Sequence, residues 1–228
     1  KAAAAREKGV RLVAGELFAD RFRTRYFKSQ GVNCLFESGV VSGEFCLLAE
    51  GPKGETEVFR AFKRRRLQDF GLEAMIAQAA EQSRRRLSAV LPQSGSFDVV
   101  FSGEALDHFF SWCLTQASAA AYYNKMTQAA LGQVLVAPKP GATPLNVYSN
   151  ALLPWGVGSY KVDPSGTLGC RRHLIEDGVL KARVSNNRYA QYLKCPATGE
   201  MGTLEVSPGK ESAAEILKPR DGKPLYHL

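Results

Sequence analysis

The sequence predicts an α+β protein built in two parts, and three observations lead to this fold class. Apolar and charged side chains alternate along residues 21–27, as they do in half-buried strands. Apolar residues recur every three or four positions between residues 69 and 90, which predicts an amphipathic helix. Asp177-Gly178 stands between two apolar runs and predicts a tight hairpin. We therefore expect antiparallel strands and a helix in residues 1–92, and a β-rich part in residues 93–228.

The first part contains four predicted strands, which follow one another as an antiparallel meander. They cover residues 21–27, 33–37, 43–49 and 57–62, with a turn rich in glycine and proline at 51–54. In the first strand Phe22 and Tyr26 fall on one face and the alternating arginines on the other. We expect the aromatic face to be buried and the arginine face to meet solvent.

A helix is predicted from Asp69, as its N-terminal cap, to about Val90. Its apolar stripe is formed by Leu72, Met75, Ile76, Ala79, Leu87 and Val90. Proline, serine and glycine in residues 92–96 then interrupt the pattern, and they give the best domain boundary in the chain.

The second part begins with a short apolar strand at 97–101, followed by a helix for which Ser102 is the predicted cap. One face of this helix carries Leu106, Phe109, Phe110, Cys113, Ala117, Ala120 and Ala121. Residues 132–165 are rich in glycine, proline and asparagine, so we expect loops and short strands there. The hairpin at 172–181 follows, because glycine tolerates the positive φ of a two-residue turn.

The composition favours a folded protein of the cytoplasm. Apolar residues make up 45% of the chain, but no apolar run approaches the ~20 residues that cross a bilayer, so no membrane role is expected. Five cysteines lack any C-x-x-C pair, which indicates scattered reduced thiols rather than a disulfide framework or a zinc ribbon. Because the chain begins at Lys1, we expect the numbering to start inside a longer protein.

Positive charge is concentrated in the first part of the chain. The first 90 residues carry 17 basic and 11 acidic side chains, and most of this excess lies in two basic runs at 63–66 and 84–86. Such runs can contact phosphates, but they are more often solvated faces. Neither run is interleaved with aromatic residues, as a single-strand binder requires, so nucleic acid is not an expected partner.

A search for catalytic motifs finds neither a P-loop, a dinucleotide-binding G-x-G-x-x-G nor a nucleophile elbow. The sequence has three histidines, and none is paired at metal-ligand spacing. His108 and Cys113 are five residues apart, about 140° around a helix, so they do not share a face. His173 and Cys170 fall on opposite faces of a strand. We expect no catalytic residue and no metal ligand in this chain.

Several segments, taken together and in order, resemble the TldD/PmbA family, also called modulators of DNA gyrase. Residues 29–34 and 37–49 resemble a strand pair of the family, 67–87 its linker helix, and 97–105 the strand and helix that open its C-terminal domain. The most specific likeness is His173-Leu-Ile-Glu-Asp-Gly-Val-Leu-Lys181. It is followed by Tyr189-Ala190, Thr198-Gly199 and 204–209 in the family's order and approximate spacing.

The resemblance implies that residues 1–92 are the C-terminal part of an N-terminal α/β domain with its linker helix. Residues 93–228 would then be a β-rich C-terminal domain, truncated at its end. In this family one subunit carries zinc on an H-E-x-x-x-H helix, and a homologous subunit lacks the metal. The matching helix here, at 104–112, has neither the histidine pair nor the internal glutamate. The resemblance therefore implies the metal-free PmbA/TldE-like subunit.

This subunit is expected to have no cofactor of its own, since zinc would belong to its partner. It would form, as a heterodimer with a zinc-bearing TldD-like subunit or by self-association, a chamber for proteolysis of small or unfolded peptides. By family position, Asn187, Thr198 and Gly199 are the candidate peptide-binding residues, although a purely structural role in turns explains them equally well.

Two other functions stay open from the sequence. A non-enzymatic interaction protein would bind nucleic acid or an acidic partner through the basic first half of the chain. A metalloenzyme would have its ligands in segments beyond these 228 residues.

Overall fold

The structure, a computed structural model, describes residues 2–29, 31–52, 54–91, 93–218 and 225–227. The chain divides into two compact units, Lys1–Gln93 and Ser94–Leu228. The predicted division between residues 92 and 93 lies one residue from this boundary, although Pro92 itself is outside the described residues. Helices and antiparallel sheets occur together, and the predicted α+β class is confirmed.

Unit 1 is built on a three-stranded antiparallel sheet in the order β1-β2-β3. A short helix α1 (Ala2–Ala5) leads into β1 (Val10–Phe27), β2 (Asn33–Gly51) and β3 (Gly54–Arg64). The two strands predicted at 33–37 and 43–49 are one strand, which corrects the four-strand meander to three. Gly43 marks no turn. It lies where a Cβ would come within 2.5 Å of the Glu16 carbonyl oxygen. A close approach between strands is the reason for glycine at this position.

One face of this sheet is covered by α2 (Leu72–Arg86), and we call it the covered face. Phe45, Leu47, Val58 and Phe62 of the covered face pack with Ile76 and Ala79 of the helix. A register shift between Leu12 and Ala14 is the signature of a β-bulge. Beyond the bulge, the opposite, open face carries Phe18 and Phe22 of β1, with Phe59 of β3.

Beyond the end of β3, which pairs with β2 from Val41 to Gly51, strands β1 and β2 continue as a two-stranded ribbon. Here the expectation of a half-buried strand at 21–27 is wrong, because Phe22 is 51% exposed. Within the described part of unit 1, the third strand ends before this point, and no other strand or helix covers either face of the ribbon.

The predicted start and end of the long helix also need correction. Asp69 belongs to a separate 3-10 turn (Leu67–Asp69), where its carboxylate accepts two hydrogen bonds from Arg66 at 2.7 and 2.8 Å. Helix α2 begins after Gly71, whose φ of 48° lies in the left-handed region. It ends at Arg86, and Val90 is 88% exposed rather than part of the apolar stripe.

Unit 2 has a four-stranded antiparallel sheet in the order β7-β6-β5-β8 and a separate parallel pair. The sheet consists of β5 (Val147–Asn150), β6 (Arg171–Glu176), β7 (Val179–Leu180) and β8 (Thr203–Val206). The parallel pair is β4 (Asp98–Val100) with β9 (Leu225–His227). The helices are α3 (Gly103–Gln116), α4 (Ala119–Tyr123), α5 (Asn187–Leu193) and α6 (Ala213–Ile216).

The core of unit 2 lies between α3 and the four-stranded sheet. Cys113 and Ala117 pack there with Val147, Leu174 and Ile175. The helix predicted through Ala121 stops earlier, because the Ser118 hydroxyl accepts a hydrogen bond from Ala121 N–H and starts α4 as a new helix. Ser102 does occupy the cap position of α3, but its side chain makes no capping hydrogen bond.

The hairpin at Asp177-Gly178 is confirmed. Asp177 and Gly178 have φ angles of 48° and 82°, as the central residues of a type I′ turn require. No helix among the described residues is long and apolar enough to cross a membrane.

Candidate functional site

Two of the three predicted peptide-binding residues, Thr198 and Gly199, lie beside the segment that precedes α5. Thr198 N–H donates to the Ser185 carbonyl oxygen at 2.7 Å, and Ser185 N–H donates to the Thr198 hydroxyl at 2.8 Å. Ser185 is buried. These two hydrogen bonds join the segments on either side of α5 and hold its base in place.

Gly199 is buried beneath Tyr160, and its φ of 91° favours glycine. A Cβ at this position would come within 2.7 Å of the Tyr160 hydroxyl oxygen. That hydroxyl donates to the Glu200 carbonyl oxygen at 2.5 Å. Burial raises the pKa of Tyr160, because desolvation disfavours the phenolate. Gly199 therefore allows the chain to pass closely under the tyrosine ring.

Asn187 is the first residue of α5, and its side chain is exposed. Its neighbour Asn186 is the cap: Asn186 Oδ1 accepts from Tyr189 N–H at 3.2 Å, and Asn186 Nδ2 donates to Glu200 Oε1 at 2.9 Å. The hydrogen bonds of Thr198 are internal to the fold, whereas Asn187 faces solvent. A peptide-binding role for the three residues stays a prediction.

The helix that the resemblance equates with the zinc helix is α3. His108 lies exposed on α3, while Cys113 is buried in the core. Burial raises the pKa of the Cys113 thiol to about 11, so it remains protonated at neutral pH. Across the described residues, no three His, Cys, Asp or Glu side chains are grouped so that they can hold a metal ion. The side chain of Glu104 is outside the described part. The donor groups that are described therefore do not fit a zinc site.

His173 belongs to a polar stack on the sheet of unit 2. Its ring stacks on Tyr148 with centroids 4.1 Å apart, and the Arg171 guanidinium lies 3.6 Å from the centre of the same tyrosine ring. Glu205 accepts two hydrogen bonds from Arg171, at 2.9 and 3.0 Å. His173 Nε2 is 3.0 Å from Asn146 Oδ1. Each neighbour here has a structural partner, so the stack joins strands β5, β6 and β8.

The two basic runs lie in unit 1, and the 84–86 run takes part in its internal contacts. Arg84 pairs with Glu7 at 3.4 Å and with Glu81 at 3.2 Å. Arg85 pairs with Glu81 at 2.8 Å, and Arg86 donates to a backbone carbonyl oxygen of β3 at 2.8 Å. In the 63–66 run, Arg66 pairs with Asp69.

Sequence reasoning missed a group of four tyrosines in unit 2, which we call the tyrosine cluster: Tyr122, Tyr123, Tyr189 and Tyr192. The ring centroids of Tyr123 lie 4.9 Å from Tyr192 and 5.9 Å from Tyr189. Arg183 stacks over Tyr122 at 3.9 Å. The spacing of Tyr189 and Tyr192 on one helical face was a visible signal. The approach of α4 to α5 was not, because the two helices are far apart in sequence.

Comparison with known proteins agrees with this fold. Residues 94–223 match the PmbA/TldA metallopeptidase C-terminal domain. TldE from Thermococcus kodakarensis is similar in structure, with a TM-score of 0.81 and 18% identity over 99% of this chain and 54% of that one. A Thermotoga maritima protein named as a modulator of a DNA gyrase gives 0.80 and 18% over 93% and 51%. No curated protein matches the sequence.

The chain belongs to the PmbA/TldD metallopeptidase family, as the resemblance predicted. It spans about half the length of the solved structures that it matches.

Proposed function

We propose that this chain is the metal-free subunit of a TldD/TldE-type peptidase complex. With a zinc-bearing homologous subunit it would form a chamber in which small or unfolded peptides are hydrolysed. The proposal rests on α3, which lies in the domain that matches the family. Its one histidine is exposed and its one cysteine is buried, so the two cannot bind one metal ion together. Bond cleavage is therefore assigned to the partner subunit.

Support for a partner comes from the ribbon of unit 1. An isolated two-stranded ribbon is marginally stable in water, and large exposed apolar patches mark interaction surfaces. Phe22 and Leu35 are each more than half exposed, one on each face of it. A homologous subunit, rather than self-association, is proposed to cover these side chains.

Support for a role in holding peptides comes from β8, which is an edge of the four-stranded sheet. An extended peptide can add to an edge strand through backbone hydrogen bonds, without its sequence being recognised. Thr203, the first residue of β8, is close in sequence to Thr198 and Gly199, the residues predicted to contact peptide. We place the complex in the cytoplasm, in keeping with five free cysteines among the described residues.

Co-expression with a zinc-bearing homologue tests the proposal. The two chains should copurify, the pair should hydrolyse labelled unfolded casein, and a zinc chelator should abolish the activity. Each chain alone should be inactive, and metal analysis should find zinc in the partner only. Replacement His108→Ala should leave the activity of the pair unchanged. Chelator-resistant hydrolysis by this chain alone, or zinc bound through His108, would contradict the proposal.

A further inference from the structure

The segments that carry the tyrosine cluster are cationic and contain no acidic residue of their own. The sequence contains no aspartate or glutamate between residues 108 and 162, or between 178 and 199. The first stretch supplies α4 and the loop that follows it, and the second supplies Arg183 and α5. Lys125, Arg188 and Lys194 are exposed in these stretches. The ion pairs found among the described residues include none of these cations.

Arg183 is the feature of this surface that most needs a partner. Its guanidinium is half-buried over Tyr122 and donates one hydrogen bond, to the Ala129 carbonyl oxygen. Its Nε is buried and has no hydrogen-bond acceptor among the residues that the structure describes. Burial lowers the pKa of Arg183, because desolvation disfavours the charged form. A desolvated cation without a carboxylate is unfavourable, and an anionic ligand would relieve that cost.

A depression beside Tyr122, the ring on which this cation stacks, is large enough for side chains of a ligand. It has a volume of about 490 Å³ and is lined by Tyr122, Tyr123, Lys125, Thr127, Gln128 and Leu193. Tyrosine and arginine are the residue types enriched where proteins bind other proteins, while aspartate and glutamate are depleted there. A polypeptide ligand fits this composition, and a single-stranded nucleic acid is the alternative that the binding test below separates from it.

We propose that the tyrosine cluster and its cations bind an unfolded polypeptide segment that carries carboxylates next to aromatic side chains. The aromatic side chains would pack on the tyrosine rings, and the carboxylates would pair with Arg183, Arg188 and Lys194. This inference rests on the proposed function and adds selectivity to it: β8 would hold the backbone of any extended peptide, and the tyrosine cluster would favour acidic peptides with aromatic residues.

Fluorescence anisotropy with the full chain tests the proposal. The probe is a labelled peptide of three Gly-Asp-Phe-Glu repeats, and its counterpart has lysine in place of each acidic residue. The acidic peptide should bind at least about tenfold more tightly, and raising the salt concentration should weaken its binding. Equal affinity for the two peptides, or no binding of either, overturns the proposal. Tighter binding of a labelled oligothymidine overturns it in favour of nucleic acid.

Variants locate the binding site. Arg188→Glu, Lys194→Glu and Tyr192→Ala change exposed side chains and should each weaken binding of the acidic peptide about tenfold, the size expected at a binding hot spot. Lys210→Glu is the matched control, because Lys210 is exposed and lies outside the cluster, and it should retain the wild-type affinity. Variants that bind as tightly as this control would overturn the proposal.

Hydrolysis assays separate this inference from the proposed function. If the acidic peptide binds at the cluster but the pair with a zinc-bearing homologue does not cleave it, the proposed function fails and the binding site stands. If the pair cleaves acidic and basic peptides at the same rate, and Arg188→Glu has no effect, the binding site fails and the proposed function stands.

Discussion

The strands β1 and β2 have two halves that look alike in sequence and differ in structure. Each half carries large apolar side chains at alternate positions, Phe45 and Leu47 in one and Phe22 and Tyr26 in the other. In the half that β3 and α2 accompany, Phe45 is 6% exposed and Leu47 is fully buried. In the ribbon, Phe22 and Leu35, which lie on opposite faces, are 51% and 53% exposed. The difference teaches that alternation identifies a strand and its two faces, whereas burial depends on whether another layer reaches that part of the strand.

The largest expected effect contrasts these two halves directly. Phe45→Ala should lower the free energy of unfolding of unit 1 by about 3–5 kcal/mol, because it leaves a cavity under α2. Phe22→Ala should lower it by less than about 1 kcal/mol, because its ring is half in solvent already. Urea unfolding followed by hydrogen exchange of β2 amides measures both. Similar losses for the two variants would show that the ribbon is covered within the single chain.

A second contrast concerns the turns that close the two hairpins. Gly178 has a positive φ, and a Cβ there would overlap the Val136 carbonyl oxygen. Gly31, between β1 and β2, also has a positive φ, but a Cβ there meets no atom within 4 Å. Gly31→Ala should cost only the strain of the left-handed conformation, about 1–2 kcal/mol. Gly178→Ala should cost more, since the clash adds to this strain. Thermal unfolding of the two variants gives the comparison, and equal losses would contradict it.

The smallest expected effect compares a carboxylate of unit 2 that pairs with an arginine with an exposed carboxylate on the open face of unit 1. Hydrogen bonds from Arg171, and then from Asn150, lower the pKa of Glu205 below its ordinary 4.5. A lowered carboxyl pKa stabilises the fold above the ordinary value, and this stability is lost as the pH falls through the lowered pKa. Glu205→Gln should therefore lower the free energy of unfolding by about 0.5–1 kcal/mol at pH 7, a small loss because the pair is partly exposed. At pH 2 the substitution should change it by almost nothing.

Glu44→Gln is the control for this measurement, because Glu44 is exposed on the open face. It should change the free energy of unfolding by less than about 0.5 kcal/mol at pH 7. If Glu44→Gln lowers the free energy of unfolding at pH 7 as much as Glu205→Gln does, the expected difference between the two sheets is absent.

Local signals in the sequence predicted the local parts of the fold. The Asp177-Gly178 turn was predictable because positive φ at two successive positions restricts the residue types. The body of α2 was predictable because Ile76 and Ala79 repeat on one face. The break between α3 and α4 was not predictable from local sequence. It involves Val184, which forms a β-bridge with Ser118 although the two residues are far apart in sequence.

The candidate site was not predicted, because it too depends on contacts between residues that are far apart in sequence. The sequence shows the tyrosine pairs on α4 and α5, but only the tertiary fold brings their rings within 6 Å. The sequence alone shows that the helix at 104–112 has one histidine and no H-E-x-x-x-H motif, because such a motif lies within a single helix. Burial of Cys113 needed the packing of α3 on the sheet.

The length of β2 links the exposed tip of unit 1 to its buried interior. One uninterrupted strand of 19 residues runs from the exposed tip to the interior under α2. Phe36 at the tip and Phe45 in the interior therefore belong to one run of β1–β2 backbone pairing, and the register shift comes only after Phe45. A molecule that binds the tip at Phe36 would slow amide exchange around Phe45 without contacting it.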